Sequence, residues 1–311
     1  MRDEARRSAQ ECGPSFFKVQ ELERQLDEAR AELAHLTEEF NDLQLLYEAT
    51  IDHGEAVEDQ LAEKNVLLER TQKRLEAELQ DASRYLLSAL PAPRSQLPAT
   101  DWLLIPSTEL GGDSLGYHEI EGKSFAFYLL DVCGHGVGAA LLSATVIGVL
   151  RTSALGEIDF RDPAAVLQAL NRAFPMERQN NMFFTIWYGV YDRSTRRLRF
   201  ATGGHPPAIH LRGNDTARPL VTKGGMAIGA MEDAVYETAE ITVEAGDRIL
   251  LLSDGTFELE GPDGDMLSFD DLMAFSTREG CDGPQAILDW VRSFNGAGPL
   301  PDDFSLLRVT F

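Results

Sequence analysis

Basic residues are scarce in this chain of 311 residues: 28 Lys and Arg stand against 51 Asp and Glu, a formal net charge of −23. Long-range repulsion of that size excludes binding to the phosphate backbone of nucleic acid or to an anionic membrane surface. Cysteine is scarce too. Cys12, Cys133 and Cys281 are odd in number, far apart and without a CxxC pair, which excludes a disulfide framework and a zinc knuckle and fits a reducing cytoplasm. No run of about 18 consecutive apolar residues occurs, and the N-terminus opens on Met1, Arg2, Asp3 and Glu4, so neither a membrane span nor a signal peptide is expected. What is present is 43% hydrophobic residues, enough for a sizeable core, in a length that suggests two units rather than one.

The first 90 residues carry one pattern. Apolar residues recur at alternating spacings of four and three: Leu22, Leu26, Ala29, Leu33, Leu36, Phe40, Leu43 and Tyr47, then Val57, Leu61, Leu68, Leu75, Ala82 and Tyr85 in the same register. A mean spacing of about 3.5 residues is the coiled-coil period, and Glu, Gln, Arg and Lys fill the positions between. Residues 1–90 therefore read as a long helix that dimerises, parallel or antiparallel, and passes on a signal. The seam is weak at Thr50, Gly54, Lys64, Thr71 and Glu78. Pro91, Pro93 and Pro98 end it, since each ring removes an amide donor and fixes φ, so 91–99 reads as a linker.

Beyond residue 100 the pattern changes to short apolar runs bounded by Gly, Asp and Pro. Strands are expected at Phe125–Val132, Phe183–Tyr191, Leu198–Thr202, Ala208–Leu211, Arg248–Leu252 and Leu306–Phe311. Helices are expected at Val137–Leu155, Pro163–Ala173, Phe269–Thr277 and Pro284–Phe294, with Asp162 and Pro163 as an N-cap and N1 pair and Gly280 as a terminator. Adjacent strands joined by Asp192–Arg197 form a hairpin, so residues 100–311 are assigned to the α+β class, an antiparallel sandwich flanked by helices, preceded by the coiled coil.

Aspartates stand at the ends of these strands. Asp113 follows Gly111-Gly112; Asp131 closes the run from Phe125 and precedes Val132-Cys133-Gly134-His135-Gly136; Asp254 follows Ile249–Leu252; Asp302-Asp303 precedes the last strand. Each taken singly reads as a turn residue. Four segments doing the same also describe how an all-oxygen site for Mg²⁺ or Mn²⁺ is built, with glycine allowing close backbone approach.

The strings Glu109-Leu-Gly-Gly-Asp113, Leu130-Asp-Val-Cys-Gly-His-Gly-Val-Gly-Ala-Ala-Leu142, Gly203-Gly-His-Pro-Pro207, Leu252-Ser-Asp-Gly255 and Asp302-Asp-Phe-Ser305, in that order, resemble the SpoIIE/RsbU-type branch of the PPM (type 2C) metal-dependent serine/threonine phosphatases. The resemblance covers about residues 90–311. It implies paired antiparallel sheets flanked by helices in an αββα arrangement, two Mn²⁺ or Mg²⁺ ions, and hydrolysis of a phosphoserine or phosphothreonine on a partner protein by a metal-activated water. Carried over, Asp131 bridges the ions with the Val132 carbonyl as a further ligand, Asp254 and Asp302 each bind one, and Asp113 completes the cluster directly or through water. Asp303 is the alternative to Asp302, which stands three residues before Ser305 as the family's ligand does. The implied substrate is a phosphorylated anti-sigma-factor antagonist, with a homodimer through the coiled coil and an upstream sensor as further partners.

His135 is a candidate general acid, although the catalytic histidine of the eukaryotic branch stands where this chain has Cys133. An ordering role in the turn is the competing reading for His135, and Cys133 reads as a turn or core residue. Many relatives carry a second aspartate three residues after the Gly-Gly-Asp one, and here that position is Gly116. His205 reads as a structural turn residue, Trp187 and Tyr188 as core, and His53 as a solvated helix residue. The rival of another class is an inactive coiled-coil scaffold on a degenerate phosphatase fold, which has no chemical need for Asp113, Asp131, Asp254 and Asp302 together. A diguanylate cyclase would need Glu-Phe where Ser114 and Leu115 follow the Gly-Gly-Asp, and a histidine kinase would need glycine-rich ATP boxes that do not occur.

Overall fold

The computed structural model describes residues 3–311 except 214, 215, 262, 263 and 297, and describes side chains from residue 17 onward, so Cys12 lies outside the described side chains. The chain forms two compact units, Met1–Arg74 and Leu75–Phe311.

The first unit is helical. Helix α1 runs Asp3–Ser88, and every residue from 17 to 70 is exposed, the apolar seam included. It is held by its own backbone ladder and by short-range pairs such as Arg24 with Glu21 and Glu28. Such exposed pairs are screened by solvent and salt, so they trim the helix rather than make it.

The second unit begins with the last turns of α1 and continues through β1 (Ala99–Ile105), β2 (Ser114–Ile120), β3 (Ser124–Val132), α2 (Val137–Arg151), α3 (Pro163–Ala173), β4 (Phe184–Asp192) and β5 (Arg197–Gly203). It is completed by β6 (Ala208–Arg212), β7 (Thr216–Leu220), β8 (Ala239–Thr242), β9 (Arg248–Leu252), β10 (Leu259–Glu260), β11 (Met266–Leu267), α4 (Phe269–Ser276), α5 (Pro284–Asn295) and β12 (Phe304–Thr310). Two five-stranded antiparallel sheets result, ordered β1-β12-β9-β6-β7 and β2-β3-β4-β5-β8, with β10 and β11 as a separate small pair.

Alternation within single strands explains the layering. On β3, Phe125, Phe127 and Leu129 join Trp187, Phe200, Leu251, Leu307 and Val309 between the sheets. Tyr128, Leu130 and Val132 face the other way and are covered by Val146 and Leu150 of α2 and Val166 and Leu170 of α3. On the second sheet Leu250, Leu252 and Leu306 are covered by Leu272 of α4 and Ile287, Leu288 and Val291 of α5. The order is helices, sheet, sheet, helices. With both faces covered, the strands read as unbroken apolar runs, and this is why they were visible in the sequence. Trp187 and Tyr188 are both fully buried, on opposite faces of β4, as core residues.

Several expectations needed correction. Asp162 precedes α3 in extended backbone with Pro163 at the first helical position, but its side chain makes no cap. Its Oδ1 accepts instead from the Thr238 hydroxyl at 3.0 Å. Helix α2 stops at Arg151, short of Leu155, and Ser153 takes a positive φ of 53° just after it. Strands β1, β2, β7 and β8 were not anticipated.

Candidate metal-binding active site

Strand register carries all five aspartates to one end of the sandwich. Ser114 at the start of β2 pairs with Leu130 near the end of β3, so Asp113 and Asp131 enter from neighbouring strands. Leu306 near the start of β12 pairs with Leu252 at the end of β9, which brings Asp302 and Asp303 beside Asp254. Residue Asp131 shares the inter-sheet face of Leu129, because side chains two apart on a strand point the same way.

Proximity is recorded in the electrostatics. Burial raises the Asp113 carboxyl well above the carboxylate range, and neighbouring Asp131 raises it further, while Ser305 and Ser253 offset part of this. Asp131 is pushed up to about 7, first by burial and then by Asp254 and Asp302. Asp254 is raised by burial, then by Asp302 and Glu258. The Oδ2 of Asp113 is buried without a hydrogen-bond partner. Among the described residues no Lys or Arg is paired with any of these groups. Carboxylates gathered in this way are stabilised by a cation of small radius and oxygen preference, so the donor set fits Mg²⁺ or Mn²⁺. As the side chains stand, no three or more His, Cys, Asp or Glu among the described residues are grouped so as to hold a metal ion.

The two adjacent aspartates differ. Asp303 is buried, and its carboxylate accepts from the Ser107 amide at 2.7 Å and hydroxyl at 3.0 Å and from the amides of Gly112 at 2.8 Å and Asp113 at 3.3 Å. Asp302 accepts only from the Asp303 amide, at 2.8 Å, in the contacts described for it. The spacing to Ser305 singles out Asp302 as the expected ligand of the pair, but neither Ser107 nor the role of Asp303 carries a signal in the sequence.

Glycines shape the backbone around the cluster. A Cβ on Gly112 would stand 2.5 Å from the Val132 carbonyl oxygen, so glycine keeps open the approach between the Gly-Gly-Asp loop and that carbonyl. At Gly116 a Cβ would meet the Tyr128 ring at 2.6 Å. Tyr128 lies across the strand pair from Gly116 and stacks on Tyr188 at 5.7 Å. An aspartate at 116 would have to displace this ring, which gives glycine at this position a packing reason.

His135 lies exposed in the turn between Asp131 and α2. Cys133 is half-buried and its Sγ accepts from the Phe183 amide at 3.3 Å, while its own amide donates to the Phe183 carbonyl at 3.0 Å, a turn role. His205 is buried against Thr185, Nδ1 to Oγ1 2.8 Å, and burial pushes its imidazole down to about 3, so it is neutral and structural. Thr185 pairs with Asp131 across β3 and β4, which sets His205 under the floor of the site.

A family model for stage II sporulation protein E (SpoIIE) matches residues 121–311. The phosphoserine phosphatase RsbU of Bacillus subtilis (strain 168) is 26% identical over 252 residues, covering 80% of this chain and 72% of that protein. RsbP of the same organism, also named a phosphoserine phosphatase, is 26% identical over 156 residues, 49% of this chain but only 38% of its own length. Among solved structures, the SiaA-PP2C domain of Pseudomonas aeruginosa superposes with a TM-score of 0.67 at 23% identity, covering 78% of this chain and 98% of that one. The layered fold is that of the type 2C phosphatase domains, and with the phosphoserine phosphatase relatives it places the chain in the class of protein serine/threonine phosphatases. Within that class the chain belongs to the SpoIIE family, the SpoIIE/RsbU-type branch.

Proposed function

We propose that this chain hydrolyses phosphoserine or phosphothreonine on a partner protein, acting in the cytoplasm with two divalent cations, Mn²⁺ or Mg²⁺. The observation that carries the reading is the set of carboxylates at one sheet end that raise one another's proton affinity, with no Lys or Arg paired to them among the described residues. When bound, two such cations supply the positive charge that offsets the carboxylates, acidify water to a nucleophile near neutral pH and neutralise charge developing on phosphoryl oxygens. Asp131 with the Val132 carbonyl would hold the ions at the centre of the set, Asp254 and Asp302 would hold them from the second sheet, and Asp113 would complete the set from β2. Asp302 is preferred over Asp303 because the carboxylate of Asp303 is already engaged by four donors.

The substrate is a phosphorylated regulator of the anti-sigma-factor-antagonist type, by analogy with the branch. Val137 and Leu141, exposed on the first turns of α2 next to the site, support a protein substrate by offering it apolar contact. The apolar stripe of α1 supports a homodimer through this helix, on which an upstream sensor acts.

The test is hydrolysis of p-nitrophenyl phosphate by the full chain with Mn²⁺, Mg²⁺ or chelator, beside Asp131→Ala. Metal-dependent turnover lost in the variant is expected. Turnover that survives chelation or the substitution would overturn the mechanism, and none with any metal or phosphoprotein would favour the inactive scaffold.

A further inference from the structure

Asp303 is placed so that every lone-pair direction of its carboxylate is used inside the protein. Oδ1 takes the amide and hydroxyl of Ser107, and Oδ2 takes the amides of Gly112 and Asp113. A carboxylate offers about four acceptor sites, so none remains for a cation. All four donors belong to the segment joining β1 to β2, which crosses from one sheet to the other and has no ladder of its own there. Gly111 lets the segment close around the acid, since a Cβ at that position would collide with the Asp303 carboxylate.

The main chain of the same residue reaches the other ligands. Its carbonyl accepts from the Ser253 hydroxyl at 3.1 Å, one residue before Asp254, and a Cβ on Gly255 would collide with that carbonyl. Its amide donates to Asp302 Oδ1. The segment it holds is tied on its far side to the turn after Asp131, where the Gly136 amide donates to the Leu110 carbonyl at 2.9 Å.

We infer that Asp303 is the positioning residue of this site: a buried anion that draws the Ser107–Asp113 segment onto the start of β12 and so fixes Asp113, Asp254 and Asp302 relative to one another before any cation binds. Charge-assisted acceptance is stronger than that of a neutral group, and this is why an acid serves where a neutral residue would hold the loop more loosely. Replacing a group that holds metal ligands in place typically costs about 10- to 100-fold in metal affinity or activity; here every proposed ligand is retained in the variant, so the loss is expected in affinity. The inference rests on the proposed ligand set, and one of its three readouts, hydrogen exchange in chelator, is independent of that set.

The experiment compares the full-chain wild type with Asp303→Ala and Asp303→Asn. Amide hydrogen exchange of residues 107–113 is followed in chelator, and Mn²⁺ binding is followed by calorimetry, with p-nitrophenyl phosphate turnover at saturating Mn²⁺ alongside. In Asp303→Ala, exchange is expected to accelerate by about 30-fold or more, from loss of all four acceptor contacts. Mn²⁺ affinity is expected to fall by about 10- to 100-fold while kcat at saturation stays within about threefold. Asp303→Asn keeps one oxygen acceptor and should lie between on both readouts. Unchanged exchange overturns the clamp. A kcat as low as that of Asp131→Ala at every Mn²⁺ concentration overturns it too, by making Asp303 a ligand. If Asp303→Ala does not fold, Asp303→Asn decides on the same readouts. A wild type that binds no Mn²⁺ overturns the ligand set, and the exchange result still decides whether Asp303 holds the segment.

Discussion

The long helix and the acid end of the sandwich leave opposite chemistry unsatisfied. On α1, Leu33, Phe40 and Tyr47 are about two-thirds exposed, at 67%, 65% and 66%, and no residue from 17 to 70 is covered. At the sandwich end, Asp113 is 6% exposed and Asp131 is buried enough to hold its proton up to about pH 7. Apolar surface in water is relieved by any complementary apolar surface, at about 25 cal/mol per Å², with little demand on direction. Charge in the interior is relieved only by opposite charge at defined points. The helix can therefore tolerate imperfect layers such as Gly54, whereas the acid end calls for fixed geometry.

The largest effect should come from removing an acid. Asp131→Ala is expected to lower p-nitrophenyl phosphate turnover by about 10³-fold or more, because the charge proposed to hold both cations has no substitute among its neighbours. Steady-state kinetics across a Mn²⁺ titration measures this. A loss below tenfold would mean that the cluster is not where the reaction occurs, and the contrast between the two regions would lose its functional half.

The next effect tests the helix. Glu at both Phe40 and Leu43 replaces four apolar side chains per dimer with charge, and self-association in sedimentation should weaken by about 100-fold or more. A wild type that sediments as a monomer at micromolar concentration would break the comparison from this side, since the exposed stripe would then serve no second copy.

Asp131→Asn sharpens the energetic half. A carboxyl whose folded pKa is raised above its unfolded value binds more protons when folded, so it costs stability as pH rises through about 4 to 7 and that cost is complete above 7. In chelator, the amide should therefore raise the melting temperature at pH 8 by an amount corresponding to about 1–3 kcal/mol, and by less at pH 5. Divalent cation should reverse the order at pH 8. An Asn variant no more stable than wild type at pH 8 in chelator would show that the acid is not held against its charge.

Much of this was legible for a physical reason. Strands β3, β4, β9 and β12 are covered on both faces, so each is a continuous apolar run, and an aspartate at its end marks the point where the cover stops. Strand β2 was missed because Gly116, His118 and Glu119 interrupt its run; its fit depends on Tyr128, which no local pattern reveals. Strands β7 and β8 lie at sheet edges with mostly exposed residues and carry little apolar signal. Asp302 and Asp303 are the same chemistry side by side in sequence; the spacing to Ser305 favours Asp302 only through the family resemblance, and the donors that engage Asp303 come from a segment some 190 residues away. The buried pair His210 and Asp247, Nε2 to Oδ2 2.8 Å, was likewise invisible, since its partners are 37 residues apart and neither stands in a motif.

The smallest effect is expected at His135, which belongs to the acid end by sequence but not by burial. It lies in water between Gly134 and Gly136, both at positive φ, whereas Asp113 is buried and Asp131 and Asp254 are half-buried. A general acid contributes about 10²- to 10⁴-fold when held against the departing oxygen. An exposed imidazole in a glycine turn competes with solvent for that proton and pays entropy to be oriented. His135→Ala should therefore lower kcat by less than about tenfold and leave the alkaline limb of the pH profile in place. A loss of a hundredfold together with disappearance of that limb would assign the proton to His135 and extend the acid end beyond its buried part.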